Sequence, residues 1–160
     1  NWNFGVFKIN ILMLSITLNN LAIPLIWIML PKKGNSNTDE RIRLMKLFLE
    51  TFSSDRIYTL LCDREFVGDD WLEWLCKKNI NFTIRIKHNF KIRNHKGRNA
   101  QVKKLFRKSS SYGQTLKNPV VIGRIPVFIA GLKLETGEWL IIITNHGAKG
   151  TLESTKSDGA

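Results

Sequence analysis

The fold is decided by residues 57–87, which read IYTLLCDREFVGDDWLEWLCKKNINFTIRIK. The apolar run 57–62 ends abruptly at Asp63, as a buried strand ends at the rim of a sheet. A helix is predicted to begin near 68–70, because acidic residues open it and two lysines close it, the order that suits the helix dipole. Residues 82–87 then alternate apolar and polar as a second strand. Strand, helix and strand at this spacing predict a right-handed parallel crossover.

Upstream of the crossover, two apolar runs flank Asn19-Asn20. Two asparagines between β-rich runs are typical of a hairpin turn, so Lys8–Leu18 and Ala22–Leu30 are predicted to form two antiparallel strands. Their near-continuous hydrophobicity predicts burial on both faces, as in a central sheet that helices cover. A membrane-spanning helix is disfavoured, because the asparagine pair and Pro24 interrupt the apolar stretch.

The remaining elements are one helix and a β-rich segment. Thr38 is the predicted N-cap of a helix that runs to about residue 52. Residues 89–118 are polar and rich in lysine and arginine, and are predicted to be a loop. Two β-rich runs follow, Val120–Ile129 and Lys133–Thr144, and the second contains a tight turn at 135–138. We expect these runs to form an antiparallel unit appended to the α/β core. The apolar face predicted for the helix that begins at Thr38 consists of Ile42, Met45, Leu49 and Phe52.

The charge of the chain is strongly asymmetric. The chain has 160 residues and a formal net charge of +12, but no acidic residue lies between Glu73 and Glu135. That stretch holds 15 of the 25 basic residues, so the rest of the chain is close to neutral. Such asymmetry indicates a polyanionic partner, either nucleic acid or an anionic membrane surface. It excludes a carrier of cationic ligands, and a hydrophobic content of 43% excludes a disordered chain.

Ten of these cations fall between positions 85 and 108 with no acid among them, and Arg64 precedes them. They are predicted to form a surface that contacts the phosphates of DNA, which gives grip without reading base sequence. The alternative is a solvated loop whose charge only aids solubility. The predicted DNA-binding residues are Arg64, Arg85, Lys87, Lys91, Arg93, Lys96, Arg98, Lys103, Lys104, Arg107 and Lys108.

Asp63 is the candidate catalytic residue. A carboxylate at the carboxyl end of a buried strand, just before a helix, stands where open α/β sheets place their active sites. One interpretation makes it a ligand of a hard metal such as Mg²⁺. The other makes it a helix N-cap or a turn residue, although Asp69 and Asp70 are better placed to cap the helix that follows. Trp139 alternates within a predicted strand and is expected in the core, with base stacking as the alternative.

The segment Asp63-Arg64-Glu65-Phe66, with Asp70-Trp71 after it, resembles the DDE transposases of bacterial insertion sequences. It is most similar to the branch whose second catalytic Asp lies in a D-R-E-F motif. The resemblance covers nearly the whole chain, and it implies a ribonuclease H-like mixed sheet with flanking helices, interrupted by a β-rich insertion. Residues 1–88 would then be a partial catalytic core, and 89–160 a basic loop with the insertion. Further matching segments are Asn1-Trp2, Phe4-Gly5, 10–14, 23–25 and 33–36.

The resemblance also implies an activity. Such enzymes use three carboxylates and two Mg²⁺ (or Mn²⁺) ions to hydrolyse a phosphodiester at the end of the element, and the freed 3′-hydroxyl then attacks target DNA. Asp63 would be the second of these carboxylates, catalytic and metal-binding. The implied partners are transposon ends and target DNA, with a homodimer in the intact enzyme, a DNA-associated location in the bacterial cytoplasm and no membrane.

Two of the three carboxylates have no counterpart in this sequence. The first Asp of the family stands just before the segment that matches Asn1-Trp2. The Glu belongs to a Tyr-x2-Arg-x3-Glu-x6-Lys signature, which neither Tyr58 nor Tyr112 begins. We therefore expect a fragment that is truncated at both ends and inactive as given. The alternatives are a non-catalytic basic nucleic-acid-binding module and, more weakly, a peripheral membrane protein that uses the apolar N-terminus and the basic segment.

Overall fold

The asparagine turn folds the first apolar runs into a hairpin, as predicted. A computed structural model describes residues 2–4, 7–93, 99–106 and 113–147, and the chain divides into two units, Asn1–Arg56 and Ile57–Ala160. In the first unit, antiparallel strands lie in the order β1, β2, β3. Asn19 and Asn20 have φ angles of 48° and 62°, the left-handed pair that a two-residue turn between twisted strands requires. The bounds are β1 Trp2–Phe4, β2 Phe7–Leu18 and β3 Leu21–Leu30.

The prediction that this hairpin is buried on both faces is wrong. Helix α1, Thr38–Thr51, contacts β2 and β3, and Leu12, Ile28 and Leu30 are buried. Among the described residues of this unit α1 is the only α-helix, so it can cover only one face. The apolar side chains of the other face are 46 to 65% exposed, and they are Ile11, Met13, Trp27 and Met29. Near the turn, Ile16, Leu18, Leu21 and Ile23 are also 45 to 68% exposed.

The N-cap of α1 is Asn37, one residue before the predicted Thr38. The Asn37 side chain accepts a hydrogen bond from the Glu40 backbone N–H at 2.9 Å, and the Glu40 carboxylate accepts one from the Asn37 N–H at 2.7 Å. This reciprocal capping box needs an acid three residues after the cap. A cap at Thr38 would place Arg41 there, which explains why Asn37 is preferred.

The buried face of α1 also differs from the predicted one. Leu44, Met45 and Phe48 are buried with Arg41, whereas Ile42 and Leu49 are half-buried and Phe52 is 41% exposed. Apolar residues surround more than half of this helix, so periodicity alone left its orientation undetermined. Arg41 is accommodated because its guanidinium donates to the Ser36 carbonyl at 2.6 Å and to the Ser36 hydroxyl at 3.1 Å. A 3₁₀ turn, Ser54–Arg56, closes the unit.

The second unit begins with the predicted parallel crossover, which the structure confirms. Strand β4 spans Leu60–Cys62, helix α2 Asp69–Lys77 and strand β5 Phe82–Ile86, with β4 and β5 paired in parallel. Strand β4 is shorter than the predicted 57–62, and the prediction that it is buried is wrong, because Leu61 is 49% exposed and Leu60 and Cys62 are only half-buried. A 3₁₀ turn, Arg64–Phe66, lies between β4 and α2.

The end of α2 explains why the chain returns sharply into β5. Asn79 has a φ of 55°, and its N–H donates to the Cys76 carbonyl at 3.0 Å. The Ile80 N–H donates to the Leu75 carbonyl at 2.9 Å. These two bonds form a Schellman motif, which ends a helix on a left-handed residue. Trp71, Leu72 and Leu75 of α2 are buried.

The downstream strands continue the sheet of the crossover. Strand β11 pairs antiparallel with β5, and the sheet order is β4-β5-β11-β10-β8, with β9 paired to β10. The two runs form an antiparallel pair as expected, but they extend the core sheet through β5 and are not appended to it. A mixed α/β sheet consistent with a ribonuclease H-like fold is confirmed. The bounds are β6 Lys91–Arg93, β7 Asn99–Gln101, β8 Gln114–Thr115, β9 Val120–Ile122, β10 Ile125–Lys133 and β11 Trp139–Thr144.

The segment predicted as a polar loop contains ordered, anchored structure. Strands β6 and β7 pair antiparallel, and a 3₁₀ turn, Val102–Phe106, follows them. Ile92, Val102 and Phe106 are each at most 3% exposed. Three widely spaced apolar residues within a basic segment gave no periodic signal, which is why the loop prediction failed. The run Val120–Ile129 also turns earlier than predicted, at Gly123 (φ 59°), and β10 continues without a break to Lys133.

No helix in the described ranges is long and apolar enough to span a membrane.

Candidate nucleic-acid interface

A cleft of about 610 Å³ opens in the second unit where β5 ends and β11 begins. Because Ile86 of β5 pairs with Ile141 of antiparallel β11, the carboxyl end of β5 and the amino end of β11 meet at one sheet edge. Strand β4 is parallel to β5, so Arg64 follows the end of β4 at the same edge. The cleft is lined by Arg64, Arg85, Ile86, Lys87, His88, Asn89, Lys103, Thr136, Gly137, Glu138 and Trp139.

The lining of the cleft is strongly cationic. Four of the predicted DNA-binding residues, Arg64, Arg85, Lys87 and Lys103, meet there, with Glu138 as the single acid. None of the four forms a salt bridge within the described part of the chain, where the pairs found involve Glu40 or Glu73. Like charges that share a concave surface raise the local potential, and an anion is attracted to it. The cleft is therefore suited to a phosphate-bearing ligand.

The other predicted DNA-binding residues do not line the cleft. Lys91 and Arg93 are exposed on β6, and Lys104 is exposed in the 3₁₀ turn. Four more predictions, on Lys96, Arg98, Arg107 and Lys108, lie outside the described residues. DNA binding by any of these residues stays a prediction.

The cleft also contains residues outside the predicted set of DNA-binding cations. His88 and Asn89 follow β5, and the β10–β11 turn contributes Thr136 to Glu138. Trp139 is half-buried, and its ring lies 5.8 Å from that of Phe106, so it is part of the packing as well as of the cleft wall. These segments come together because β5 pairs with β11. The two strands are far apart in the sequence, so the local alternation of apolar and polar residues cannot predict that they pair.

Asp63 lies directly after β4, as predicted, and its side chain is exposed. One of its carboxylate oxygens, Oδ1, accepts a hydrogen bond from the Arg64 N–H at 2.8 Å and caps the 3₁₀ turn Arg64–Phe66. The capping interpretation is thus realised in this short turn, while Gly68 is the N-cap of α2. The second oxygen, Oδ2, accepts no hydrogen bond from a described residue. A metal-binding role for Asp63 remains a prediction that this geometry allows.

The fold and the cleft define an α/β domain that presents an acidic residue and a cationic cleft at one edge of its sheet. A family model described as the transposase DDE domain matches residues 7–121. The chain belongs to this family. A search of curated proteins returned no match to the chain. Membership indicates a transposition-related nuclease activity with DNA as substrate, in a family that generally uses divalent metal ions.

The described residues do not by themselves fit such a metal site. Nowhere in the described ranges do three His, Cys, Asp or Glu side chains come close enough together to hold an ion. Mg²⁺ accepts one or two carboxylates with water and phosphate oxygens, but a pair of ions held by the protein needs several carboxylates at one place. Asp63 can supply one ligand, and no step of a metal-dependent reaction follows from the described residues alone.

The opposite edge of the sheet carries a partly buried polar network. His146 Nε2 lies 3.2 Å from the Thr59 hydroxyl, which lies 3.5 Å from the Thr83 hydroxyl. Asn145 accepts a hydrogen bond from the Phe82 N–H at 2.9 Å and donates to the Ile80 carbonyl at 3.1 Å. These bonds join the end of β11 to the start of β5.

This network predicts a pH dependence of stability. Burial lowers the pKa of His146, so the folded protein binds this proton less readily than the unfolded chain does. The free energy of unfolding should therefore fall as the pH drops below the ordinary histidine pKa of about 6.5, until the lowered pKa is passed. Urea unfolding across this range measures the effect. His146→Gln should remove the part due to this residue, and an unchanged profile would contradict the assignment.

Proposed function

We propose that the chain is the DNA-holding part of the catalytic domain of a bacterial insertion-sequence DDE transposase. The observation that supports this best is the convergence of Arg64, Arg85, Lys87 and Lys103, none in a salt bridge with a described residue, at the sheet edge where Asp63 stands. The cleft would hold phosphates of a transposon end or of target DNA beside that carboxylate. The direct test is whether the full chain binds duplex DNA and loses that binding when the four cations are replaced.

In this proposal Asp63 is the second of three metal-binding carboxylates. Its position at the end of β4 supports the role, as does its Oδ2, which accepts no hydrogen bond from a described residue. Mg²⁺ or Mn²⁺, when bound in the intact enzyme, would activate the attacking oxygen and stabilise the leaving one. Residues 1–88 would contribute the core, and 89–160 the basic segment that holds DNA, together with strands that extend the core sheet. The family resemblance further supports a homodimer in the intact enzyme. It also supports a DNA-associated location in the bacterial cytoplasm.

The chain by itself is expected to bind DNA without cutting it, because one carboxylate cannot assemble a two-metal site. Supercoiled plasmid incubated with the purified chain and Mg²⁺ or Mn²⁺ should stay intact on an agarose gel. Asp63→Ala should behave identically in this assay. Metal-dependent nicking that disappears in Asp63→Ala would contradict the expectation and would show that the chain holds a complete active site.

The second candidate function is a non-catalytic basic nucleic-acid-binding module. It is favoured by the hydrogen bond from the Arg64 N–H to Asp63, which gives this acid a structural role that needs no metal. The coding DNA on either side discriminates between the two. An Asp codon shortly upstream with a Tyr-x2-Arg-x3-Glu pattern downstream favours the transposase, and their absence favours the module.

A further inference from the structure

The two-stranded ribbon formed by β6 and β7 presents one wholly polar face. Its register pairs Lys91 with Gln101 and Arg93 with Asn99, while Ile92 pairs with Ala100. Directly opposed residues of an antiparallel pair point to the same face, and the next residues along each strand point to the other. One face therefore carries two cations and two amides, and the other face carries the apolar pair.

The outward side chains have no partner within the described part of the chain. Lys91, Arg93 and Asn99 are exposed and Gln101 is half-exposed. No salt bridge and no side-chain hydrogen bond with another described residue involves any of them. They are thus available to a ligand, in contrast to the cation Lys77, which is paired with Glu73 at 2.7 Å.

The ribbon is held in place from beneath. Ile92 on its inner face is 3% exposed, and β6 contacts β9. Two further backbone hydrogen bonds join the residues next to the ribbon. The Val102 N–H donates to the Phe90 carbonyl at 2.9 Å, and the Lys103 N–H donates to the His88 carbonyl at 3.1 Å. His88 and Lys103 also line the cationic cleft. Both strands of the ribbon therefore lie within a few residues of the lining of that cleft.

The residue types and their spacing match the edges of base pairs. Opposed side chains are about 5 Å apart and successive rows on one face about 7 Å apart, which is about two base-pair steps. The major groove of B-DNA admits a two-stranded ribbon. Arginine or lysine recognises guanine there, and asparagine or glutamine recognises adenine, in each case through hydrogen bonds to the base edge. Each row of the ribbon offers one of each kind.

We propose that the β6–β7 ribbon enters the major groove of duplex DNA and reads base sequence through Arg93, Asn99, Lys91 and Gln101, while phosphates of the same duplex occupy the cleft. This inference rests on the proposed function, because it assigns sequence recognition to the same DNA-binding edge. It goes beyond the prediction that the basic segment gives only grip. A solubilising surface needs charge alone, whereas this face pairs each cation with a neutral amide that reads bases.

The test is selection from a library of random-sequence DNA duplexes by the full chain. The unsubstituted chain should enrich sites that contain G·C and A·T pairs at fixed positions. Asn99→Ala with Gln101→Ala removes no charge, so the preference at the A·T positions should fall roughly 5- to 150-fold, which is a larger change than the change in affinity for unselected DNA. Arg93→Lys keeps the charge but replaces the planar guanidinium, which can donate to O6 and N7 of guanine together, with a single ammonium group, so it should weaken the preference for guanine.

The controls separate this inference from the proposed function. Lys87→Ala with Lys103→Ala should lower affinity for all sequences alike, because cleft contacts to phosphates carry no sequence information. Far-UV circular dichroism should show that every variant is folded. If the variant Asn99→Ala with Gln101→Ala does not fold, Arg93→Lys tests the inference in its place. DNA binding without any sequence preference, or a preference that survives both ribbon variants, would overturn the inference alone. No binding to any DNA would overturn the proposed function as well.

Discussion

Alanine at Arg64, Arg85, Lys87 and Lys103 together is expected to weaken the binding of duplex DNA by about 10³-fold or more at about 0.1 M salt. These four side chains share the cleft and have no salt-bridge partner among the described residues. Each cation that neutralises a phosphate releases counterions and contributes about 0.9 to the logarithmic salt slope, so four contribute about 3.6. Fluorescence anisotropy of a labelled duplex measures the change.

A matched variant shows whether position matters as well as charge. Arg43, Lys46, Lys78 and Lys117 are exposed and do not line the cleft. Their joint replacement by alanine removes the same four charges, and it should weaken binding far less than the cleft variant does. If both variants lose the same affinity, only the overall charge of the chain attracts DNA, and the cleft is not the binding site.

The second large effect concerns the core that holds this edge in place. Phe82→Ala should lower the free energy of unfolding by about 3–5 kcal/mol, because it removes a large side chain from a tightly packed interior. Phe82 is 0% exposed, begins β5, and pairs with Leu60 of β4. Since a domain of this size is stable by about 5–15 kcal/mol, the variant should be close to unfolding. Urea denaturation followed by circular dichroism measures it.

The matched control for this prediction is Tyr58→Ala. Tyr58 is 80% exposed and its ring meets only the edge of His146 among the aromatic side chains described. Its replacement should change the free energy of unfolding by less than about 1 kcal/mol. A loss below about 1 kcal/mol in Phe82→Ala itself would show that β5 is not the centre of the folded unit.

Local features of this fold were predictable because short-range physics determines them. The asparagine pair permits the left-handed turn between β2 and β3. Helix α2 is marked by acids at its start and lysines at its end. The position of Asp63 follows from the abrupt end of one apolar run. In each case the residues that carry the signal are neighbours in the chain, so no knowledge of distant contacts was needed.

Features that depend on distant contacts were not predictable. Which side of α1 is buried depends on the hairpin that it meets, and Ile42 and Leu49 were chosen wrongly for that reason. Charge alone predicted that Arg64 joins the basic segment in one surface, but it did not show which of these cations share a cleft. Glu138 lies in the cleft because β11 pairs with β5. These strands are distant in the sequence, and local strand propensity does not predict which strands pair.

The most direct test of the central claim is the salt dependence of DNA binding by the full chain and by the four-alanine cleft variant. For the unsubstituted chain, the logarithm of the association constant should fall linearly with the logarithm of salt concentration, with a slope of about −3.6 or steeper. The slope of the cleft variant should be shallower by about 3.6. Equal slopes for the two proteins would contradict the claim that these four cations hold the phosphates of DNA.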